Sequence, residues 1–221
     1  MNCSLEKRKP FIAVLVNYRL GLFGFAASPD MIAAQTGDAV QGCNFGLGDQ
    51  RTALEWVSKH ISAFGGDPNK IAIGGQSAGA SSAHSHILEA KYSRNRPLFR
   101  RGIIQSAAVG TLGPISMSEA HRNWMALAEK FCIPQDAKPI TRWEVLSRIP
   151  TIQLLESGLS LGWMVYPLVN DGLTISARGR TSWNVQLRQS SPEALSSSAD
   201  SGQSIDVFIG DTDAEVRVES W

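Results

Sequence analysis

The chain has 221 residues, 43% of them hydrophobic and 19% charged, enough to bury one sizeable core, and it reads as a single domain spanning residues 1–221. Its formal net charge is +1 and no Lys/Arg block is interleaved with aromatic residues, so no nucleic-acid partner is expected. No apolar run reaches the roughly 18 residues of a membrane span, and the N-terminal residues are too polar for an export signal, which leaves a small neutral molecule as the expected partner.

In chain order, residues 11–17 (Phe-Ile-Ala-Val-Leu-Val-Asn) form a continuous apolar run rich in β-branched residues, the pattern of a central strand buried on both faces of a parallel sheet. Residues 21–48 are rich in Gly, Ala, Ser and Gln and read as a long connection with one short helix around 29–34. Asp49 is then placed to cap a helix in which Ala53, Leu54, Val57 and Ile61 share a face, ending before Gly65-Gly66-Asp67-Pro68. A strand is expected at 70–75 and a helix at 78–89, whose small residues suit close packing on a sheet. Residues 101–106 read as another buried strand. Ser118 is expected to cap a helix reaching Phe131, with Trp124, Leu127 and Ala128 at helical spacing. Weaker helical patterns cover 142–149 and 151–158. Residues 186–204, dominated by Ser, Gln, Ala, Pro and Gly, read as an exposed flexible insertion before a last strand at 205–209. Strands alternating with helices predict an α/β class with a mostly parallel sheet.

The candidate chemistry centres on Gly75-Gln76-Ser77-Ala78-Gly79, which follows the apolar Ile71-Ala72-Ile73 and precedes a helical pattern. A serine on a sharp strand-to-helix turn presents its hydroxyl as a nucleophile, held at positive φ, with the flanking glycines leaving room for the turn. A dinucleotide-binding loop is excluded because Gln76 stands where a second glycine is required. The odd set Cys3, Cys43 and Cys132 suits neither a disulfide framework nor a metal knuckle. His84 and His86, two apart on a helix, point about 200° from each other and are no metal pair, so no cofactor or metal is expected.

Several further blocks accompany the elbow: Val16-Asn17-Tyr18-Arg19-Leu20-Gly21-Leu22-Phe23-Gly24-Phe25, Asn44-Phe45-Gly46-Leu47-Gly48-Asp49-Gln50-Arg51, Phe64-Gly65-Gly66-Asp67-Pro68 and Gln105-Ser106. In order and approximate spacing the chain resembles the type B carboxylesterases and lipases, on the α/β-hydrolase fold, over residues 11–110, with a looser match at 167–172. The resemblance implies a serine esterase acting on a small ester through an acyl-enzyme, with Ser77 as nucleophile and the Ala78 amide as an oxyanion donor. It implies an acid in Gly210-Asp211-Thr212-Asp213-Ala214-Glu215, assigned to Glu215 with Asp211 and Asp213 as rivals, although Val216 replaces the family's usual small residue. The family's triad histidine and its His-Gly-Gly loop match nothing here, and none of His60, His84, His86 or His121 is promoted to base. The expectation is therefore a partial α/β-hydrolase domain, lacking strands at both ends and inactive by itself, with a non-catalytic interaction protein of the same fold or a pseudoenzyme remnant as the alternative. The strand that separates the counterparts of 11–17 and 71–73 in the family is among those unmatched. Either these two runs pair directly or a gap opens between them.

Overall fold

The computed structural model describes residues 10–36, 41–92, 97–163, 166–175 and 205–210. In chain order its elements are α1 (Gly21–Phe25), α2 (Pro29–Ala34), α3 (Phe45–His60) with a 3-10 turn (Ile61–Phe64), β1 (Ala72–Gln76), α4 (Ala78–Tyr92) and β2 (Arg101–Gln105). There follow β3 (Ile115–Ser116), α5 (Met117–Lys130), α6 (Pro139–Arg148), α7 (Thr151–Ser160), β4 (Val169–Asn170) and β5 (Asp206–Gly210).

Strands β1, β2 and β5 lie side by side in that order and are parallel, with Ile73 opposite Gly102 and Gly102 opposite Val207. Side chains alternate across a strand, so Ile73, Ile104 and Val207 share one face, and α4 covers it. Ala80, Ala83 and Ile87 of α4 pack there with Ile73, Phe99 and the fully buried Ile104. The approach is close: a β carbon on Gly102 would lie 2.3 Å from Cδ1 of Ile87. The opposite face carries Ile103 and Phe208, 42% and 68% exposed.

A second cluster, including Leu22, Met31, Trp124, Leu127 and Leu146, gathers α1, α2, α5 and α6. Helix α2 begins as residue preferences dictate, with Ser28 Oγ accepting from Asp30 N at 3.1 Å and Pro29 in the first turn. Asp30 is buried and receives Arg142 Nε at 2.6 Å, Arg142 Nη2 at 3.1 Å and Trp124 Nε1 at 2.9 Å. Arg142 Nη1 donates to the carbonyls of Gln135 and Ala137, so its charge is fully partnered.

The parallel sheet and its helices agree with the expected class, but four local readings differ: residues 21–48 hold α1 besides the single short helix expected at 29–34, and three more follow. Residues 11–17 pair with no strand among the described residues, and their apolar side chains are exposed, Leu15 at 97%. An apolar run becomes a strand only beside a neighbour offering N–H and C=O groups, and β1 stands at a sheet edge with none on its outer side among the described residues. Of the two arrangements anticipated, the open one is found. Helix α3 starts earlier than Asp49: Asn44 precedes it at φ 54, and Asp49 instead pairs with Arg19, whose Nη2 lies 2.7 Å from Oδ1. The cap of α5 is Ser116, whose Oγ accepts from Glu119 N at 3.2 Å, and Ser118 hydrogen-bonds Ser116. The insertion read at 186–204 lies outside the described residues.

Candidate active site

Ser77 joins β1 to α4 with φ 53, in the left-handed region that costs a non-glycine residue roughly 1–3 kcal/mol. Hydrogen bonds on both sides hold it there. Its N–H donates to Gln105 O at 3.0 Å, adding one rung to the β1–β2 ladder, while its carbonyl accepts from Ala80 N at 2.9 Å and Ser81 N at 3.1 Å, opening the helix. Ser77 and Ala78 are exposed. As the first residue of α4, Ala78 has an N–H with no acceptor inside the helix.

The two flanking glycines do different work. A β carbon on Gly75 would lie 2.2 Å from the carbonyl carbon and oxygen of Gly79 and 2.8 Å from Ala80 N, so the strand meets the helix backbone at that point. A β carbon on Gly79 would meet nothing within 4 Å. Room for the turn therefore depends on Gly75, and Gly79 contributes the backbone that Gly75 touches.

The ladder continues sideways. Gln76, Gln105 and Gly210 share one row, and Ser106, also at positive φ (54), donates its N–H to Gly210 O at 3.1 Å. Gly210 therefore ends β5 at the same carboxyl edge as Ser77. Ser106 was absent from the sequence-predicted site; the signal available was a serine directly after a buried strand, as at Ser77. Glu215 and its rivals Asp211 and Asp213 lie outside the described residues.

All four histidines are engaged elsewhere. His84 is buried, its Nδ1 accepting from Val109 N at 3.2 Å, and burial holds its pKa below the usual imidazole range. His86 Nε2 lies 2.9 Å from Gln50 Oε1. His121 Nδ1 lies 3.0 Å from Ser28 Oγ, and the His60 ring sits 4.9 Å from that of Trp56. Among the described residues no three His, Cys, Asp or Glu side chains are grouped to hold a metal ion. Cys43 is no rival nucleophile, since burial pushes its thiol up to about 11.

Beside the elbow lies a cavity of about 230 Å³, its wall formed by Ala78, Ser81 and Ser82 of α4 together with Tyr18, Leu112 and Tyr166 among others. Arg19 fixes the Tyr18 side of that wall: its backbone N–H and Nε donate to Asp49 Oδ2 at 3.0 and 2.8 Å, and its guanidinium lies 5.0 Å from the centre of the Phe45 ring.

An exposed serine at positive φ between a parallel strand and a tightly packed helix is the elbow geometry, and comparison with known proteins gives it a lineage. The sequence pattern of the carboxylesterase family matches residues 3–219. The chain belongs to the carboxylesterase family. It is 45% identical to lipase 5 of Diutina rugosa over 116 residues, 51% of this chain and 20% of that protein. It is 35% identical to esterase E4 of Myzus persicae over 170 residues, 76% of this chain and 28% of that one. It is 31% identical to an inactive carboxylesterase-like protein of Byssochlamys spectabilis over 169 residues, 75% and 27% of the two chains. Each match thus spans less than a third of the relative's length. Family membership identifies the three-stranded sheet and its helices as part of an α/β-hydrolase fold. No helix among the described residues is long and apolar enough to cross a membrane.

Proposed function

We propose that this chain is a single domain carrying the nucleophile of a carboxylic ester hydrolase. Ser77 Oγ attacks the carbonyl of a small ester, the Ala78 N–H donates to the oxyanion, and Glu215 orients an imidazole base. The acyl group passes to Ser77, the alcohol leaves with the proton that the base has taken, and water then releases the acid. The observation that carries this reading is Ser77 itself: exposed, at φ 53, and held between the β1–β2 ladder and the first turn of α4. Support for the acid comes from the sequence, in which Glu215 follows Gly210 by five residues, and Gly210 ends β5 in the row shared with Gln76 and Gln105 beside Ser77.

The 221-residue polypeptide by itself is nearly inert in this reading, because each of its four histidines is committed to another contact. General-base assistance contributes roughly 10²–10⁴-fold to such reactions. The relative named as inactive supports a rival, a non-catalytic member of the family. Both halves are tested with para-nitrophenyl butyrate. Without added base, the chain should not exceed its Ser77→Ala variant in turnover. With imidazole supplied in solution, mass spectrometry should find the butyryl group on the peptide containing Ser77. Ser77-dependent turnover without imidazole would remove the claim of inertness. Acylation spread evenly over other serines would remove the nucleophile assignment.

A further inference from the structure

The cavity beside Ala78 has room for a small ring and a mostly apolar wall. A closed, dry apolar cavity of about 150 Å³ accepts a benzene ring, and this one, open to solvent on one side, offers about 230 Å³. Its wall is mostly hydrocarbon and ring, including Phe25, Leu112, Tyr166 and Leu168, and α4 adds Ser81 and Ser82, each of which carries a hydroxyl. Those hydroxyls differ. Ser81 Oγ donates to Ala108 O at 3.3 Å. Ser82 is 4% exposed, and its hydroxyl has no hydrogen-bond partner among the described residues. Serine within a helix either turns to solvent or bonds back to the carbonyl one turn earlier, and Ser82 does neither. A buried hydroxyl without a partner is costly, and it favours any ligand that supplies the missing atom.

We propose that this cavity takes the ring-sized half of a small ester, one bearing a single oxygen, and that Ser82 is the residue that selects it. The ester part of this statement rests on the reading of Ser77 as nucleophile; the cavity and its selectivity do not. A ring seated here lies against Ala78, the residue next to the proposed point of attack. Its oxygen pairs with Ser82, and its carbons meet the apolar wall. A site that pairs with a substrate hydroxyl discriminates strongly against the analogue lacking it, because the protein group is then left buried and unpaired.

The test is binding, so it needs no turnover. The full chain is titrated with para-cresol and para-xylene, nearly identical in shape but differing by hydroxyl for methyl, and amide shifts in the NMR spectrum give the two affinities. Para-cresol should bind about ten-fold more tightly. Ser82→Ala, a small change that leaves the wall standing, should abolish that preference without weakening para-xylene. Leu112→Trp should weaken both by filling the cavity, and Ser77→Ala should change neither. Equal affinities in the wild type, a preference that survives Ser82→Ala, or binding of neither probe would each overturn the proposal. Acylation of Ser77 in the esterase experiment is scored separately: its failure with para-cresol selectivity intact removes the catalytic reading alone, and the reverse result removes the Ser82 assignment alone.

Discussion

The two glycines of the elbow pentapeptide offer a test in which one methyl group has opposite effects four residues apart. In Gly75→Ala the new carbon would sit 2.2 Å from the backbone of Gly79, where ordinary contact begins near 3.4 Å, so β1 and α4 must separate by about 1 Å. No flexible side chain is available to move aside, since the atoms met belong to the helix backbone. Overpacking of this kind costs about 1–3 kcal/mol, a large part of the roughly 5–15 kcal/mol by which a domain is stable. It also loosens the Ala80, Ala83 and Ile87 contacts that hold α4 on the sheet. In Gly79→Ala the methyl enters open space on a helix, where alanine gains about 0.5–1 kcal/mol over glycine. The two variants should thus differ by about 1.5–4 kcal/mol. With a urea dependence near the upper end of the usual 1–3 kcal/mol per molar, that is about 1 M between their unfolding midpoints, followed by circular dichroism. Coincident midpoints, or Gly79→Ala as the weaker variant, would refute the assignment of close approach to Gly75.

Asp30→Ala leaves Arg142 buried without its carboxylate and should cost about 3–5 kcal/mol in urea unfolding; a loss below about 1 kcal/mol, the range of a surface pair, would show the pair to be solvated. His84, whose folded-state pKa burial holds low, is neutral in the fold and gains its proton first in the unfolded chain. Its contribution is therefore complete above about pH 6.5 and is lost as pH falls through the folded value. The wild-type midpoint should drop more between pH 7.5 and 5.5 than that of His84→Gln, and parallel shifts would dismiss the residue as the source. Leu15→Lys, at a position 97% exposed, should change stability by no more than about 0.5 kcal/mol while reducing self-association measured by light scattering; unchanged scattering would show that residues 11–17 do not drive association.

Legibility followed the range of the forces involved. Strands β2 and β5 were readable because short apolar runs between turn residues have few other uses, and Ser77 because its turn is specified within a pentapeptide. Residues 11–17 carry an equally strong strand pattern, yet a pattern states a capacity for pairing and not the presence of a neighbour. The start of α3 was misplaced because Asn44 adopts its left-handed conformation with partners at Val169 and Thr174, far beyond any local window. The cap of α5 was read at Ser118 and lies at Ser116, because a capping residue type marks a helix start only to within a few residues and the backbone path decides which serine accepts from the first turn. The cavity had no sequence signature because its wall is assembled from several separate segments. Family resemblance supplied what local physics did not, the expectation that an acid lies beyond β5, and Glu215 remains a proposal on that ground.

Asn44 also bears on the order in which the chain organises. Its side-chain amide acts as a stray peptide unit, Oδ1 accepting from Val169 N at 2.9 Å and Nδ2 donating to Val169 O at 2.8 Å across 125 residues of sequence. Closing a loop of that length costs about 4 kcal/mol by the logarithmic rule, before its constant term. The helical part of α3 is local and forms without that closure, whereas the bend that aims it can set only after the distant segment has arrived. The elbow, whose most distant tie is from Ser77 N–H to Gln105 O, needs a shorter closure than the wall of its cavity, whose Tyr166 and Leu168 lie beside Val169 in the distant segment.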